Sequence, residues 1–285
     1  LEAGLRSIPN NYTYTRDYLL EHGDSIEILI LGNSHAFNGI DPLGFDAPAF
    51  NAASVSQDHK RDLAVFERFI DKLPALKTII LPISYYSIGA MLEEGPEPWR
   101  VKNYVLYLDM PDQASMLTHQ FELLSNRKLK SIMMIAEHVL NDSTHISCLP
   151  RGGAPGKPKP GLDFILDGRK TAERHTFGTA GRFKENRDYL DKLIRIASER
   201  DIHVHFFHPP GHKAYRAALD SGQLAMAKEL GRELADSNDN VTYHDLLEDG
   251  RFAESDFSNS DHLQKSGNLK LTQILREDLA DYRNR

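Results

Sequence analysis

Short continuous runs of aliphatic residues alternate along this chain with longer segments in which apolar residues recur at helical spacing. A buried parallel strand reads as such a continuous run, because both of its faces are covered. Strands that alternate with helices imply parallel pairing and right-handed crossovers. The pattern therefore predicts an α/β fold built on a parallel sheet. Strands are predicted at residues 26–31, 50–53, 78–82, 202–207 and 241–244.

The segments between these strands predict helices that pack on the sheet. In residues 60–73, for example, Leu63, Phe66 and Ile70 fall on one helical face, as in a helix that covers a core. An N-terminal arm over residues 1–25 precedes the first strand. Helices are predicted at residues 16–22, 60–73, 113–124, 129–140, 186–199, 214–236 and 269–282.

The alternation of strands and helices is interrupted over residues 87–181. We interpret this region as an insertion that folds over one end of the sheet, within a single domain spanning residues 1–285. Residues 151–161 are too rich in glycine and proline for a regular element. They predict either a solvated loop or a mobile lid, and the loop is the simpler interpretation.

Composition narrows the class of protein. With 285 residues, 40% of them hydrophobic, the chain can bury a full core. The formal charge of −7 argues against a nucleic-acid partner, because no basic stripe is available to neutralise phosphates. Cys148 is the only cysteine, which excludes an internal disulfide and a cysteine-based zinc site.

The sequence also bears on membranes. No apolar run is long enough to span a bilayer, and no signal peptide is recognisable. The chain begins at Leu1 without an initiator methionine, so we expect an excised fragment. A membrane anchor or an export signal upstream of Leu1 stays open on this interpretation.

Ser34 is the first candidate for chemistry. It follows the apolar run of the first predicted strand, after Gly32 and Asn33. In open α/β sheets the chemistry gathers just beyond the carboxyl ends of the strands. A hydroxyl at this position is either a nucleophile or the N-cap of the next helix, since serine is a preferred cap.

A serine nucleophile needs a base that reaches it in space, and thirteen histidines are available. His262 lies in a polar loop before the last helix, which opens on the same edge of the sheet as Ser34. Its alternative role is a surface histidine at a helix start. His203 and His205 share a strand face, but no carboxylate stands close in sequence to complete a metal site. We expect no metal and no cofactor.

At these positions the chain resembles the SGNH, or GDSL-type, hydrolase superfamily, in four segments that follow the family's order. Gly32-Asn33-Ser34 stands where the family has Gly-Asp-Ser, which implies Ser34 as the nucleophile. Residues 51–56 resemble the second block, whose closing glycine donates a backbone N–H to the oxyanion. Ser56 has that position here. The resemblance implies a three-layer α/β/α sandwich with a five-stranded, flavodoxin-like parallel sheet.

The other two segments resemble the family less completely. Residues 81–85 stand where the family has an asparagine as a further oxyanion donor, so Ser84 or Tyr85 would have to supply it. The tail Asn259-Ser260-Asp261-His262 resembles the Asp-x-x-His block, which implies His262 as the base. Asn259 replaces the orienting aspartate; an amide oxygen accepts from imidazole but cannot stabilise its charge, and the wrong tautomer is a risk.

Two carboxylates are candidates to replace that aspartate. Asp261 is adjacent to His262, and we expect its side chain to point elsewhere. Asp256 reaches His262 only if the loop curls back. Substrate contacts are expected from His35, whose side chain should diverge from Ser34, and from three positions elsewhere in the chain. Those three are Asn51 in the second block, His208 in the loop after the fourth strand, and His175 in the insertion.

The resemblance is strongest to a branch of membrane-anchored bacterial proteins that act on cell-surface polysaccharides. It implies a serine esterase or O-acyltransferase acting on acyl esters, above all acetyl esters, of an exported polysaccharide. The partner would be an acylated carbohydrate, and the location periplasmic or otherwise extracytoplasmic. Two alternatives stay open: a catalytically degenerate relative that binds polysaccharide, motivated by Asn259, and a lipase- or thioesterase-like enzyme acting on small esters.

Overall fold

The centre of the computed structural model, which describes residues 1–114, 116–124 and 128–283, is a sheet of five parallel strands. The strand order is β2-β1-β3-β4-β5. The predicted α/β fold class with a five-stranded parallel sheet is confirmed. The strands are β1 (Ile28–Ile30), β2 (Ala49–Asn51), β3 (Thr78–Pro82), β4 (His203–His208) and β5 (Val241–Asp245).

Helices surround this sheet on both faces. In chain order they are α1 (Glu2–Arg6), α2 (Asn11–His22), α3 (Ser34–Gly39), α4 (His59–Phe69), α5 (Val101–Tyr107), α6 (Lys128–Asn141), α7 (Phe164–His175), α8 (Phe183–Ser198), α9 (Lys213–Arg216), α10 (Ser221–Asp236) and α11 (Lys265–Arg283). Among the described residues, no helix combines the length and the apolar character needed to cross a bilayer.

Two hydrophobic cores separate the three layers, because successive residues of a strand point to opposite faces. Leu29 of β1 lies in the core packed by α2, α4, α8 and α10. Ile28 and Ile30 lie in the opposite core, which α3 and α11 cover. The apolar runs are therefore buried on both sides of the sheet, as the sequence pattern predicts.

Two predicted helices differ from the structure. The helix predicted at residues 113–124 is replaced by short 3₁₀ turns at Pro111–Gln113 and Leu117–Gln120, with residue 115 outside the described part. Leu117 is 66% exposed, so the apolar residues that suggested a helix do not share a buried face. The long helix predicted at residues 214–236 is divided in two, because Asp220 accepts from Gln223 N at 2.8 Å and caps α10.

The glycine- and proline-rich residues 151–161 form a loop without regular structure. Isolated parallel bridges join Gly152 to Asn51 and Gly156 to Gln264. The loop therefore lies against the edge strand β2 at one end and near the start of α11 at the other.

Candidate active site

Ser34 is the first residue of α3, directly beyond the end of β1. The chain turns there through Gly32, whose φ of +116° is a conformation that favours glycine. A side chain at this position would also clash with Pro82. Asn33 is the helix cap, since its side chain accepts from His35 N at 3.0 Å. The alternative in which Ser34 itself caps the helix is therefore wrong, and its hydroxyl is free for another partner.

His262 supplies that partner from a position 228 residues further along the chain. Its Nε2 lies 2.7 Å from Ser34 Oγ. The loop that carries His262 is closed on itself, because Ser258 N donates to His262 O at 2.8 Å and Phe257 pairs with Leu263. The structure thus brings together the two residues implied as nucleophile and base.

Asn259 fixes the tautomer of the His262 ring. Its Oδ1 accepts from the backbone N–H groups of Asp261 at 3.2 Å and His262 at 2.8 Å, which can only donate, so this atom is the amide oxygen. The same oxygen lies 3.1 Å from His262 Nδ1. Nδ1 must therefore carry the proton, and Nε2 presents a lone pair to Ser34. The expected risk of a wrong tautomer does not arise in this geometry.

Asp261 supplies the negative charge that the amide lacks. Its Oδ1 lies 2.9 Å from His262 Nδ1, an ion-pair distance without the direction of a hydrogen bond. Burial alone would raise the pKa of Asp261, but the adjacent imidazole rings of His262 and His35 hold this pKa well below its ordinary value. The expectation that Asp261 points elsewhere is wrong, because the turn closed by Asn259 directs both side chains to one side.

Asp256 does not reach His262. Its carboxylate pairs with Lys270 Nζ at 2.6 Å and accepts from Ala253 N at 2.9 Å. The backbone of the loop does curl back, with Gln264 N donating to Asp256 O at 2.9 Å. The Asp256 side chain, however, points to Lys270 of α11. The proposed orienting role of Asp256 is corrected to a structural one.

His35 lies on the other side of the Asp261 carboxylate. Its Nε2 is 3.6 Å from Asp261 Oδ2, and its ring centroid is 5.4 Å from that of His262. Burial lowers the pKa of His35 against the opposing effect of Asp261. The donor atoms of His35, Asp261 and His262 lie within 4.8 Å of one another, the one grouping in the described chain that could hold a metal ion. The contacts above already engage these atoms.

A cavity of about 580 Å³ opens above Ser34 and His262. The apolar residues that line it come mainly from the insertion; they are Val55, Ala90, Met91, Pro96, Phe177 and Ala180. The polar residues that line it include Asn38, Ser56, Tyr86, Glu94, Glu97, Arg174 and His175. Both an apolar and a hydroxylated part of a ligand can therefore be accommodated.

Ser56, which the resemblance aligned with a glycine, lines this cavity. Its φ of +62° lies in the left-handed region, which favours glycine. The hydroxyl donates to Glu97 Oε2 at 2.7 Å, and Glu97 is in turn held by Arg100. These contacts hold a non-glycine residue in a glycine conformation.

Neither of the two residues predicted as donors after β3, Ser84 and Tyr85, lines the cavity. Ser84 exchanges hydrogen bonds with Ser87 in a closed turn, at 2.9 and 3.0 Å. Tyr85 points away, with its hydroxyl 2.5 Å from Thr176 Oγ1. Tyr86 lines the cavity instead, and burial together with nearby carboxylates raises its pKa to about 12. Tyr86 was missed because the sequence does not show where the turn ends.

Three residues were predicted to contact substrate from outside the Ser34 segment. His175 does line the cavity; its Nδ1 is 2.9 Å from Tyr215 Oη, and burial lowers its pKa to about 3. Asn51 does not line it, since its amide donates to Ala36 O and Ile40 O at 3.0 Å beneath α3. His208 is buried at the end of β4 and does not line it either. These last two predictions are corrected to structural roles.

A strap formed by residues 151–156 ties the two halves of the site together. Ala154 N donates to Phe37 O of α3 at 2.8 Å, and Gly156 N donates to Leu263 O, next to His262, at 2.9 Å. Asn51 N donates to Arg151 O at 2.8 Å and anchors the strap on β2. Its glycines are required where the backbones approach one another.

Gly156→Ala is expected to destabilise the protein and to lower its turnover. The new Cβ would lie 2.6 Å from Leu263 O and would overlap Ser258 Oγ, so the loop of His262 must shift, at a cost of about 1–3 kcal/mol. Denaturant unfolding and ester turnover measure the two effects. Gly250→Ala is the control, since a Cβ there meets nothing within 4 Å; equal stability of both variants would contradict the role of the strap.

No family model matches the sequence, and no curated protein matches it. Among solved structures the chain is similar to a Streptococcus pneumonia protein provisionally described as a platelet activating factor, with 11% identity, a TM-score of 0.48 and coverage of 94% of this chain and 90% of that one. It is also similar to a provisionally described acylhydrolase from Bacteroides fragilis (9% identity, TM-score 0.43, coverage 94% and 95%). A GDSL-like lipase from Bacteroides thetaiotaomicron has 7% identity, a TM-score of 0.46 and coverage of 96% and 98%.

Proposed function

We propose that this protein is an SGNH-type serine ester hydrolase that works through an acyl-serine intermediate. One observation carries the proposal: Ser34 Oγ lies 2.7 Å from His262 Nε2, on a ring whose other nitrogen faces both an amide oxygen and a buried carboxylate. A nucleophile, its base and an orienting group within hydrogen-bond reach are the signature of covalent catalysis.

The reaction follows from the tautomer. His262 Nε2 takes the proton of Ser34 as Oγ attacks the ester carbonyl, and Asp261 stabilises the imidazolium that forms. The protonated ring then gives its proton to the leaving alcohol, which leaves an acyl ester on Ser34. Water activated by the same nitrogen hydrolyses this ester and restores the free hydroxyl. A sugar hydroxyl in place of water would make the enzyme an O-acyltransferase.

The oxyanion is assigned three donors on this proposal. The N–H of Ser34 opens α3 and has no intrahelical acceptor. The N–H of Ser56 belongs to the strained residue at the cavity wall. The Tyr86 hydroxyl, kept neutral by its raised pKa, takes the place of the family's asparagine. Preorganised donors of this kind are the largest electrostatic contribution in many acyl transfers.

Tyr86→Phe is expected to lower kcat by about 10²-fold, the usual effect of removing one oxyanion donor. KM should change little, because the donor acts on charge that develops in the transition state. Steady-state kinetics with p-nitrophenyl acetate measure both constants. Tyr85→Phe is the matched control, since Tyr85 does not line the cavity; a loss shared equally by both variants would contradict the assignment.

The substrate we propose is an acyl ester of a polysaccharide, with acetyl as the first acyl group to test. The mixed lining of the cavity supports this proposal: apolar residues such as Phe177 suit an acyl group, and polar residues such as Asn38 suit hydroxyls. The apolar residues also favour a second candidate, a lipase-like enzyme on longer acyl esters. Extracytoplasmic location stays a prediction from the sequence.

Two measurements separate these functions. A fluorophosphonate probe should label the wild-type protein at Ser34, and p-nitrophenyl acetate should be turned over; absence of both would leave the catalytically degenerate, polysaccharide-binding alternative. Acetate release from acetylated xylan is then compared with cleavage of long-chain p-nitrophenyl esters. Preference for the long chains would overturn the glycan proposal in favour of the lipase-like function.

A further inference from the structure

Arg174 is a cation at the mouth of the cavity. It lies in the last turn of α7, is exposed, and lines the cavity together with its neighbour His175. The ring of His175 lies 4.7 Å from that of Tyr86, which also lines the cavity. The position of Arg174 places an exposed guanidinium among the residues that line the cavity.

The two glutamates that line the cavity are each paired with an arginine. Glu94 pairs with Arg182 at 2.6 Å, and Glu97 pairs with Arg100 at 2.8 Å. The Asp261 carboxylate is buried and faces the His262 ring. Arg174, by contrast, has no ion pair with any carboxylate in the described part of the chain, and its hydrogen bond to Thr171 Oγ1 is long, at 3.4 Å.

A cation at a helix C-terminus is favourable without any ligand, because it faces the negative end of the helix dipole. That reason applies to Arg174 but does not account for its place at the cavity. Arg169, on the same helix, is also exposed and unpaired among the described residues, and it does not line the cavity. The two arginines therefore separate the effect of charge on this helix from the effect of charge at the site.

Resting on the proposed ester hydrolase function, we propose that the substrate carries a carboxylate, as in an acylated acidic saccharide, and that Arg174 binds it. A guanidinium matches a carboxylate with two parallel hydrogen bonds, which gives orientation as well as attraction. The neighbouring acids do not repel this anion at full strength, because Glu94 and Glu97 are neutralised by their own arginines. Arg174 then orients the chain of sugars while the ester reaches Ser34.

The experiment compares acetylated galacturonan with acetylated xylan at matched ester concentration, by acetate release. Wild type should prefer the acidic polymer, and the preference should fall as salt is raised, because salt screens charge at an exposed site. Arg174→Gln should lower the acidic-to-neutral ratio of kcat/KM by about tenfold or more, as expected for loss of hydrogen bonds to a charged group. Arg169→Gln should leave the ratio unchanged.

A second readout does not require turnover. Binding of oligogalacturonate to Ser34→Ala is measured by calorimetry, with and without Arg174→Gln, which should weaken it by about tenfold. Arg174→Lys keeps the charge but not the paired donors and should fall between the two. No preference for the acidic polymer, or equal loss from both arginine variants, overturns the inference. Absence of labelling by the fluorophosphonate probe overturns the hydrolase function instead, and the binding measurement still decides the carboxylate.

Discussion

Ser34→Ala is expected to abolish ester turnover and fluorophosphonate labelling while the protein stays folded. Among the described residues, the one hydrogen bond of the hydroxyl is that to His262 Nε2 at 2.7 Å. The helix keeps its cap because that function belongs to Asn33. Removing a serine nucleophile costs at least about 10⁴-fold in kcat. Turnover of p-nitrophenyl acetate and mass spectrometry of the labelled protein measure the loss.

The matched control is Ser198→Ala, at the exposed end of α8. It should label and turn over substrate like the wild type, and both variants should unfold at similar denaturant concentrations. Labelling of Ser34→Ala at the wild-type rate would place the nucleophile elsewhere and remove the basis of the proposed mechanism.

Asp261→Asn is expected to lower kcat by about 10²- to 10³-fold, less than the roughly 10⁴-fold loss known for a serine protease whose aspartate becomes asparagine. In that case the ring adopts the wrong tautomer. Here Asn259 Oδ1 still accepts from His262 Nδ1, so the variant loses the charge but keeps the tautomer. KM should change little, since the charge acts when the imidazolium forms.

Asp256→Asn gives the comparison for this prediction. Asp256 is equally buried in the same loop, but its carboxylate pairs with Lys270 rather than with His262. Its replacement should lower the free energy of unfolding and spare kcat. If the two variants lose the same activity and the same stability, Asp261 contributes only to the fold and not to the chemistry.

The fold could be predicted from the sequence because local hydrophobic patterns identify most of its strands and helices. The apolar run of β1 is buried in both cores, as Leu29 and Ile30 illustrate, and the five strands alternate with helices along the chain. The errors in the predicted helices occur where the local hydrophobic pattern does not match the burial or the capping in the structure. Leu117 belongs to an apolar segment that the structure leaves exposed, and Asp220 breaks a helix that its neighbours would continue.

Of the candidate site, the sequence predicted the residues whose place depends only on where the chain leaves the sheet. Ser34 and His262 follow from where the chain leaves the sheet, since loops after parallel strands open on one edge. The role of Asp261 depends on the direction of its side chain inside one turn, which the sequence does not show. The Asp-x-x-His spacing places the carboxylate at position 259, where this chain has an asparagine. Tyr86 and Arg174 line the cavity, but the hydrophobic pattern of their segments does not indicate how these segments cross the site.

The strap over residues 151–156 connects the insertion to the segments that carry Ser34 and His262. The nucleophile and the base stand far apart in sequence, and peptide groups of the strap hydrogen-bond to the carbonyls of Phe37 and Leu263 beside them. A segment bound to both sides must open before either can move independently, so this part of the molecule behaves as one cooperative unit in local unfolding. The region that interrupts the alternation of strands and helices thus holds the Ser34 and His262 segments together, and a minimal domain without it would lose these contacts.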